Sequence, residues 1–155
     1  MLPIGGLYVT DQPMIIRTVL GSCISVTLFD GTLKIGGMNH IVLPGSFVGN
    51  GAYKMLDEKD PRYGVFSIEK LLYEMKSLGV KKENIEAKIY GASFMGTKNQ
   101  SINIQSQNVD FVKAFLNMVN IDIKEEVVMQ DEPLKISLDT SNGSTEVIKL
   151  KNEHQ

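Results

Sequence analysis

The chain has a single cysteine in 155 residues, Cys23, and only two histidines, His40 and His154. A lone thiol cannot close an internal disulfide, and it suits a reducing compartment. One cysteine and two histidines also fall short of the about four ligands a structural zinc takes, which excludes a Cys-rich zinc site. No apolar run approaches the roughly 18–20 residues that span a bilayer, so membrane insertion is not expected. The opening "MLPIGGLYVTDQP" has no basic segment leading into an apolar one, so no signal peptide is read and a cytoplasmic location is expected. Basic runs are missing too. The 16 basic and 18 acidic residues are dispersed and leave a formal charge of −2, which predicts no electrostatic grip on nucleic acid.

The remaining composition, 43% hydrophobic and 22% charged, is that of a globular chain, and its length suits one domain over residues 1–155. Runs rich in β-branched and aliphatic residues predict strands at Met14–Leu20, Ile24–Phe29 and Leu33–Leu43, with Asp30-Gly31 as a tight hairpin turn between the last two. The segment "PGSFVGNGAYKMLDEKDPRYG" reads as a long loop. Ile68, Leu71, Leu72, Met75 and Leu78 recur at helical spacing, and Gly79 supplies a stop. A strand at Ile85–Ala92 follows, then a helix from Asn108 to Met118 with Ser106 as its N-cap and Val109, Val112, Leu116 and Val119 on one face. A hairpin around Asn142-Gly143 ends the chain. This order predicts an α/β (α+β layered) fold, with a mixed or antiparallel sheet core flanked by helices rather than a regular βαβ repeat.

A two-residue turn at Asp30-Gly31 sets Phe29 opposite Thr32, Leu28 opposite Leu33, Val26 opposite Ile35 and Cys23 opposite Met38. Ile24, Val26, Leu28, Leu33 and Ile35 then form one apolar face, and Cys23, Ser25, Thr27, Lys34 and His40 share the other. His40 becomes the diagonal neighbour of Cys23, about 7–8 Å away at the backbone, a gap that an imidazole can bridge. A bulge at Gly36-Gly37 would turn His40 to the opposite face, so a catalytic pair and two unrelated residues both stay open on spacing alone. The pair has a defined chemistry. A thiol of pKa near 8.5 needs a neighbouring base to become a nucleophile, and acyl transfer needs donors where the oxyanion forms. The Gly21-Ser22-Cys23 turn can aim backbone N–H groups at one point.

"TVLGSCISVTLFD" and, seventeen residues after the cysteine, the histidine of "GGMNHIVLP" resemble the chemoreceptor glutamine deamidases of bacterial chemotaxis, the CheD family. Leu20, Gly21, Ser22, Cys23, Gly36, Gly37, Met38, His40, Leu43 and Pro44 carry the two motifs, and weaker likeness runs through "RYGVFSIEKLLYEM", "EAKIYGASFM" and "QNV". The resemblance implies a cytoplasmic thiol hydrolase that converts particular glutamines of methyl-accepting chemotaxis receptors to glutamate. It implies Cys23 as nucleophile, His40 as general base, and a hydroxyl residue upstream that orients the histidine; Thr18 is the candidate, with Arg17 the alternative if the alignment slips by one. The backbone at Gly21 and Ser22 would hold the oxyanion. A CheC-type phosphatase is an implied partner, and no metal or organic cofactor is required. The glycine-rich "GSFVGNGAYKM", with Ser46 and Asn50, is expected to rim the substrate site. The late stretch "VVMQDEPLKISL" lacks the family's Gly-Gly pair and Arg-Lys, which points to altered partner contacts. Two other classes stay open: a receptor- or phosphatase-binding module with little turnover, and a thiol deamidase of another protein.

Overall fold

A computed structural model describes residues 1–43 and 64–151. Of the predicted loop 44–64, residues 44–63, with Ser46 and Asn50, lie outside them, and Gly64 opens a helix. The elements in chain order are β1 (Leu7–Thr10), β2 (Ile15–Leu20), β3 (Ile24–Asp30), β4 (Ile35–Asn39), α1 (Gly64–Ser77), β5 (Ile85–Gly91), α2 (Lys98–Met118), β6 (Asp122–Val128), β7 (Leu134–Asp139) and β8 (Thr145–Lys149). They build two sheets. One has five strands in the order β1-β4-β3-β5-β6, antiparallel except for the parallel β5–β6 pair; the other is an antiparallel sheet of three, β2-β7-β8.

Side-chain alternation explains how the sheets stack. In β2, Ile16, Thr18 and Leu20 point inward while Ile15, Arg17 and Val19 face solvent. Central strand β3 is buried along its whole length, because each of its faces is covered. Ile24, Val26 and Leu28 pack with Ile35, Ile85, Ala87 and Ile89 beneath Ile68, Leu71, Leu72 and Met75 of α1 and Val109, Val112, Phe115 and Leu116 of α2. Cys23, Met38, Val42 and Tyr90 on the opposite face meet Ile16, Leu20, Leu134, Ile136 and Leu138 of the smaller sheet. The order is helices, large sheet, small sheet. Burying each large aliphatic side chain contributes about 1.5–3 kcal/mol, and both cores are built of them. Helix α1 stops as its glycine signal predicts. Gly79 takes φ +94°, its N–H reaches Lys76 O at 2.9 Å, and Val80 N–H reaches Met75 O at 3.2 Å, which gives two carbonyls of the last turn their partners.

Several expectations need correction. The β3–β4 hairpin pairs Asp30 with Ile35, Phe29 with Gly36, Leu28 with Gly37 and Thr27 with Met38, so its loop is Gly31–Lys34 rather than Asp30-Gly31. Asp30 drives the change: its Oδ1 accepts the N–H groups of Thr32 (2.7 Å) and Leu33 (3.3 Å), and Lys34 completes the turn at φ 57°. Leu33, expected in the core, is instead 48% exposed in this loop. No register shift occurs at Gly36-Gly37. Helix α2 begins at Lys98 with Thr97 as its N-cap residue, ten residues before the expected start, so Ser106 is no cap. Its first turns carry little apolar periodicity, and Ile102 and Ile104 are exposed there. Strands β1 and β6 were not anticipated; "DIKEEVV" is a charged edge strand held by parallel pairing to β5. The polar face of the hairpin does not meet water, since the second sheet covers it. The helices accordingly lie on one side only of the large sheet.

Candidate active site

The seam between the two sheets collects Cys23, His40 and Thr18. Cys23 ends the bend that leads into β3, and His40 follows β4. The chain pairs again just beyond them, with Ile24 N–H on Ile41 O at 3.1 Å and Ile41 N–H on Ile24 O at 2.7 Å. Cys23 and His40 each precede a member of that pair, so they are diagonal neighbours whose side chains share the seam face. Both are buried, at 5% and 3% exposure, and Thr18 is fully buried at 0%. Thr18 reaches His40 from the other sheet. Its Oγ1 lies 2.7 Å from His40 Nδ1 and donates to Leu2 O at 2.9 Å. The alternation of β2 sends Arg17 outward, so the alternative third residue points into solvent.

The backbone around the pair is shaped by two local devices. Asn39 Oδ1 accepts Val26 N–H at 2.7 Å, so a side chain substitutes for the main-chain acceptor and the β3–β4 ladder opens at His40. The main chain of His40 bonds to the N-terminal segment instead: its N–H to Gly6 O at 2.9 Å, its carbonyl to Gly5 N–H at 3.0 Å. On the other flank, Ala92 N–H donates to Cys23 O at 2.8 Å and Ser93 N–H to Gly21 O at 2.9 Å, which docks the bend carrying the thiol onto the end of β5. Gly91 makes this approach possible. It adopts φ +110°, and a Cβ there would sit 2.2 Å from Cys23 O. Gly21 and Ser22 therefore lie in a backbone bend pinned from both ends. Ser25, on the face of Cys23 and His40, has a buried hydroxyl without a hydrogen-bond partner.

Burial lowers the pKa of His40 to about 4, because the closed seam disfavours the imidazolium. The ring is neutral at neutral pH and able to accept a proton. A neutral imidazole buried on the same face as the thiol has the chemistry of a general base. Among the described residues, no group of three or more His, Cys, Asp or Glu could hold a metal ion. No helix among them is long and apolar enough to cross a membrane.

The structure brings Cys23 and His40, singled out by their spacing, and Thr18, singled out by the family resemblance, to one seam; sequence reasoning missed Asn39, Gly91 and the N-terminal turn. The "PIGG" stretch carried a turn signal for the last of these. Asn39 and Gly91 carried no local signal, because each acts on backbone brought up from a distant strand.

Comparison with known proteins gives a consistent picture. A family model described as CheD chemotactic sensory transduction matches residues 42–149, just beyond His40. Three curated relatives extend the likeness over the seam residues. The "Probable chemoreceptor glutamine deamidase CheD" of Janthinobacterium sp. (strain Marseille) is 36% identical over 147 residues, covering 95% of this chain and 71% of its own. The protein of the same name from Methylobacillus flagellatus is 37% identical over 155 residues, covering 97% and 73%. The "Probable chemoreceptor glutamine deamidase CheD 1" of Shewanella oneidensis is 36% identical over 150 residues, covering 97% and 71%.

Proposed function

The chain belongs to the CheD family, and on that premise we propose that it hydrolyses the side-chain amide of specific glutamines on methyl-accepting chemotaxis receptors, releasing ammonia and leaving glutamate. Cys23 is the nucleophile, His40 the general base and Thr18 the group that orients the imidazole. The observation that carries this reading is the buried 2.7 Å approach of Thr18 Oγ1 to His40 Nδ1 in the same seam as the only cysteine. It leaves the other ring nitrogen, Nε2, for the proton of the thiol.

In the first half-reaction Nε2 takes the Cys23 proton as sulfur bonds to the glutamine Cδ, and the carbonyl electrons move onto oxygen. Backbone N–H groups of the bend at Gly21, Ser22 and Cys23 hold that oxyanion. The C–N bond then breaks, and the proton on Nε2 leaves with the nitrogen as ammonia. In the second half-reaction His40 removes a proton from water, the resulting hydroxide attacks the thioester, and the C–S bond breaks to give glutamate. The Cys23 sulfur recovers its proton from Nε2. The residues need no metal or organic cofactor for this sequence. Each modified glutamine gains a negative charge at neutral pH.

The receptors act as partners through their cytoplasmic parts, which makes the cytoplasm the site of action, with residues 1–155 working as one domain. A CheC-type phosphatase is a second partner, supported by the family resemblance alone. Intact-mass analysis of receptor signalling fragments tests the activity. Incubation with the protein should raise fragment mass by one dalton-scale step per converted glutamine, with ammonia released, and Cys23→Ser should abolish both. Receptor fragments from the same organism that stay unchanged with folded wild-type protein would overturn the reading.

A further inference from the structure

We propose that the carbonyl of Leu2, held by the turn of residues 3–6, decides which ring nitrogen of His40 carries the proton, so that the N-terminal segment is a positioning element of the site. The inference rests on the reading of His40 as the general base. Its argument is one of donors and acceptors. A carbonyl oxygen can only accept, so the 2.9 Å contact between Thr18 Oγ1 and Leu2 O must use the threonine's proton. A hydroxyl has one proton. Toward His40 Nδ1, 2.7 Å away, the Thr18 oxygen can then only accept. In the neutral ring this places the hydrogen on Nδ1 and leaves Nε2 with its lone pair, the form able to take a proton from the thiol.

The segment is built to hold this arrangement. Leu2 N–H bonds to Arg17 O at 2.6 Å, beside Thr18 on β2, and the Leu2 side chain is packed in the core between the sheets. The chain then turns back, with Gly6 N–H on Pro3 O at 2.9 Å and Gly5 at φ 79°, the left-handed value that a type II turn requires at its third residue. It leaves the turn bonded to both main-chain groups of His40 through Gly5 N–H and Gly6 O. Six residues thus tie the strand of Thr18 to the backbone of His40. Without the Leu2 carbonyl, the Thr18 hydroxyl is released to donate to Nδ1, and the ring proton moves to Nε2, the wrong form for a base.

Nitrogen-15 NMR of the histidine rings reads this directly, and His154→Gln identifies the His40 signals. The full chain at neutral pH should show a protonated Nδ1 and a bare Nε2. Removing residues 1–6, or loosening the turn with Gly5→Val, should move the ratio of the two forms toward Nε2–H by about tenfold, the worth of one hydrogen bond. The kcat for receptor-glutamine hydrolysis should fall with it while KM holds. Thr18→Ser should keep the Nδ1–H form and Thr18→Val should lose it. Nε2–H in the wild-type protein overturns the proposal, even where Cys23-dependent hydrolysis is intact. So does Nδ1–H that persists in a folded shortened chain. A shift on shortening supports it whatever Cys23→Ser does to activity.

Discussion

The two faces of the five-stranded sheet are both buried, yet they are made of different material. The face under α1 and α2 is aliphatic throughout, from Ile24, Val26 and Leu28 to Leu71 and Met75. The face toward the three-stranded sheet mixes Met38, Val42 and Tyr90 with Cys23, Ser25, Thr27 and His40, and Thr18 joins them from β2. Burying polar groups is favourable only when they are bonded, and it shifts the pKa of any that titrate. Depth therefore does not separate core from site in this molecule. The helix side converts burial into stability, whereas the seam converts it into an uncharged, oriented imidazole.

The contrast can be broken from either side, and the largest effect is expected on the helix face. Leu71→Ala should lower unfolding free energy by about 2–5 kcal/mol in urea titrations. Activity per folded molecule should stay near wild type. The reverse result, a modest stability loss with activity gone, would show that the two faces are coupled.

Acidification should single out the seam. His40 ionises at about 4 in the folded protein against 6.5 in the unfolded chain. Between those values the unfolded chain binds the extra proton, so this contribution is complete above pH 6.5 and is lost as pH falls through about 4. It amounts to something on the order of 3 kcal/mol. Urea midpoints at pH 7 and pH 4 should differ less in His40→Gln than in wild type. By the same shift, kcat/KM should persist at pH 5, where an ordinary imidazole is already charged.

The smallest effect belongs to neither face. Lys113 and Glu126 form a 3.1 Å ion pair on the surface, with both side chains more than a third exposed. Lys113→Gln should change stability by less than about 1 kcal/mol.

How the site could be read from the sequence follows from strand parity. The hairpin register expected from an Asp30-Gly31 turn is displaced by four residues from the pairing in the structure. An even displacement keeps each side chain that is still paired on its face, so His40 remains diagonal to Cys23, only on the other side of the facing residue. An odd slip would have hidden the pair. Thr18 came from the family resemblance, with Arg17 as its alternative, and the alternation of β2 turns Thr18 inward and Arg17 outward. Other features left no trace. The early turns of α2 bury little beyond Gln105, and β6 is exposed or half-buried along its length, so neither shows a hydrophobic period. The Leu2 carbonyl is main chain, common to every residue, and no side-chain pattern can announce it.

The pairing of β2 with β7 has a consequence for the order of assembly. Ile15 faces Asp139 and Leu20 faces Leu134, and Met14 N–H bonds to Thr140 Oγ1 across 126 positions of sequence. Thr18 is thus seated by a strand distant in sequence, whereas Cys23 and His40 flank neighbouring strands close in sequence. Closing so long a loop costs entropy before any contact repays it, and long-range pairing of this kind is slow. During synthesis Cys23 and His40 emerge early, but the sheet that covers them forms only after β7 has been made. Under the proposed function, catalytic competence is therefore among the last properties the folding chain acquires.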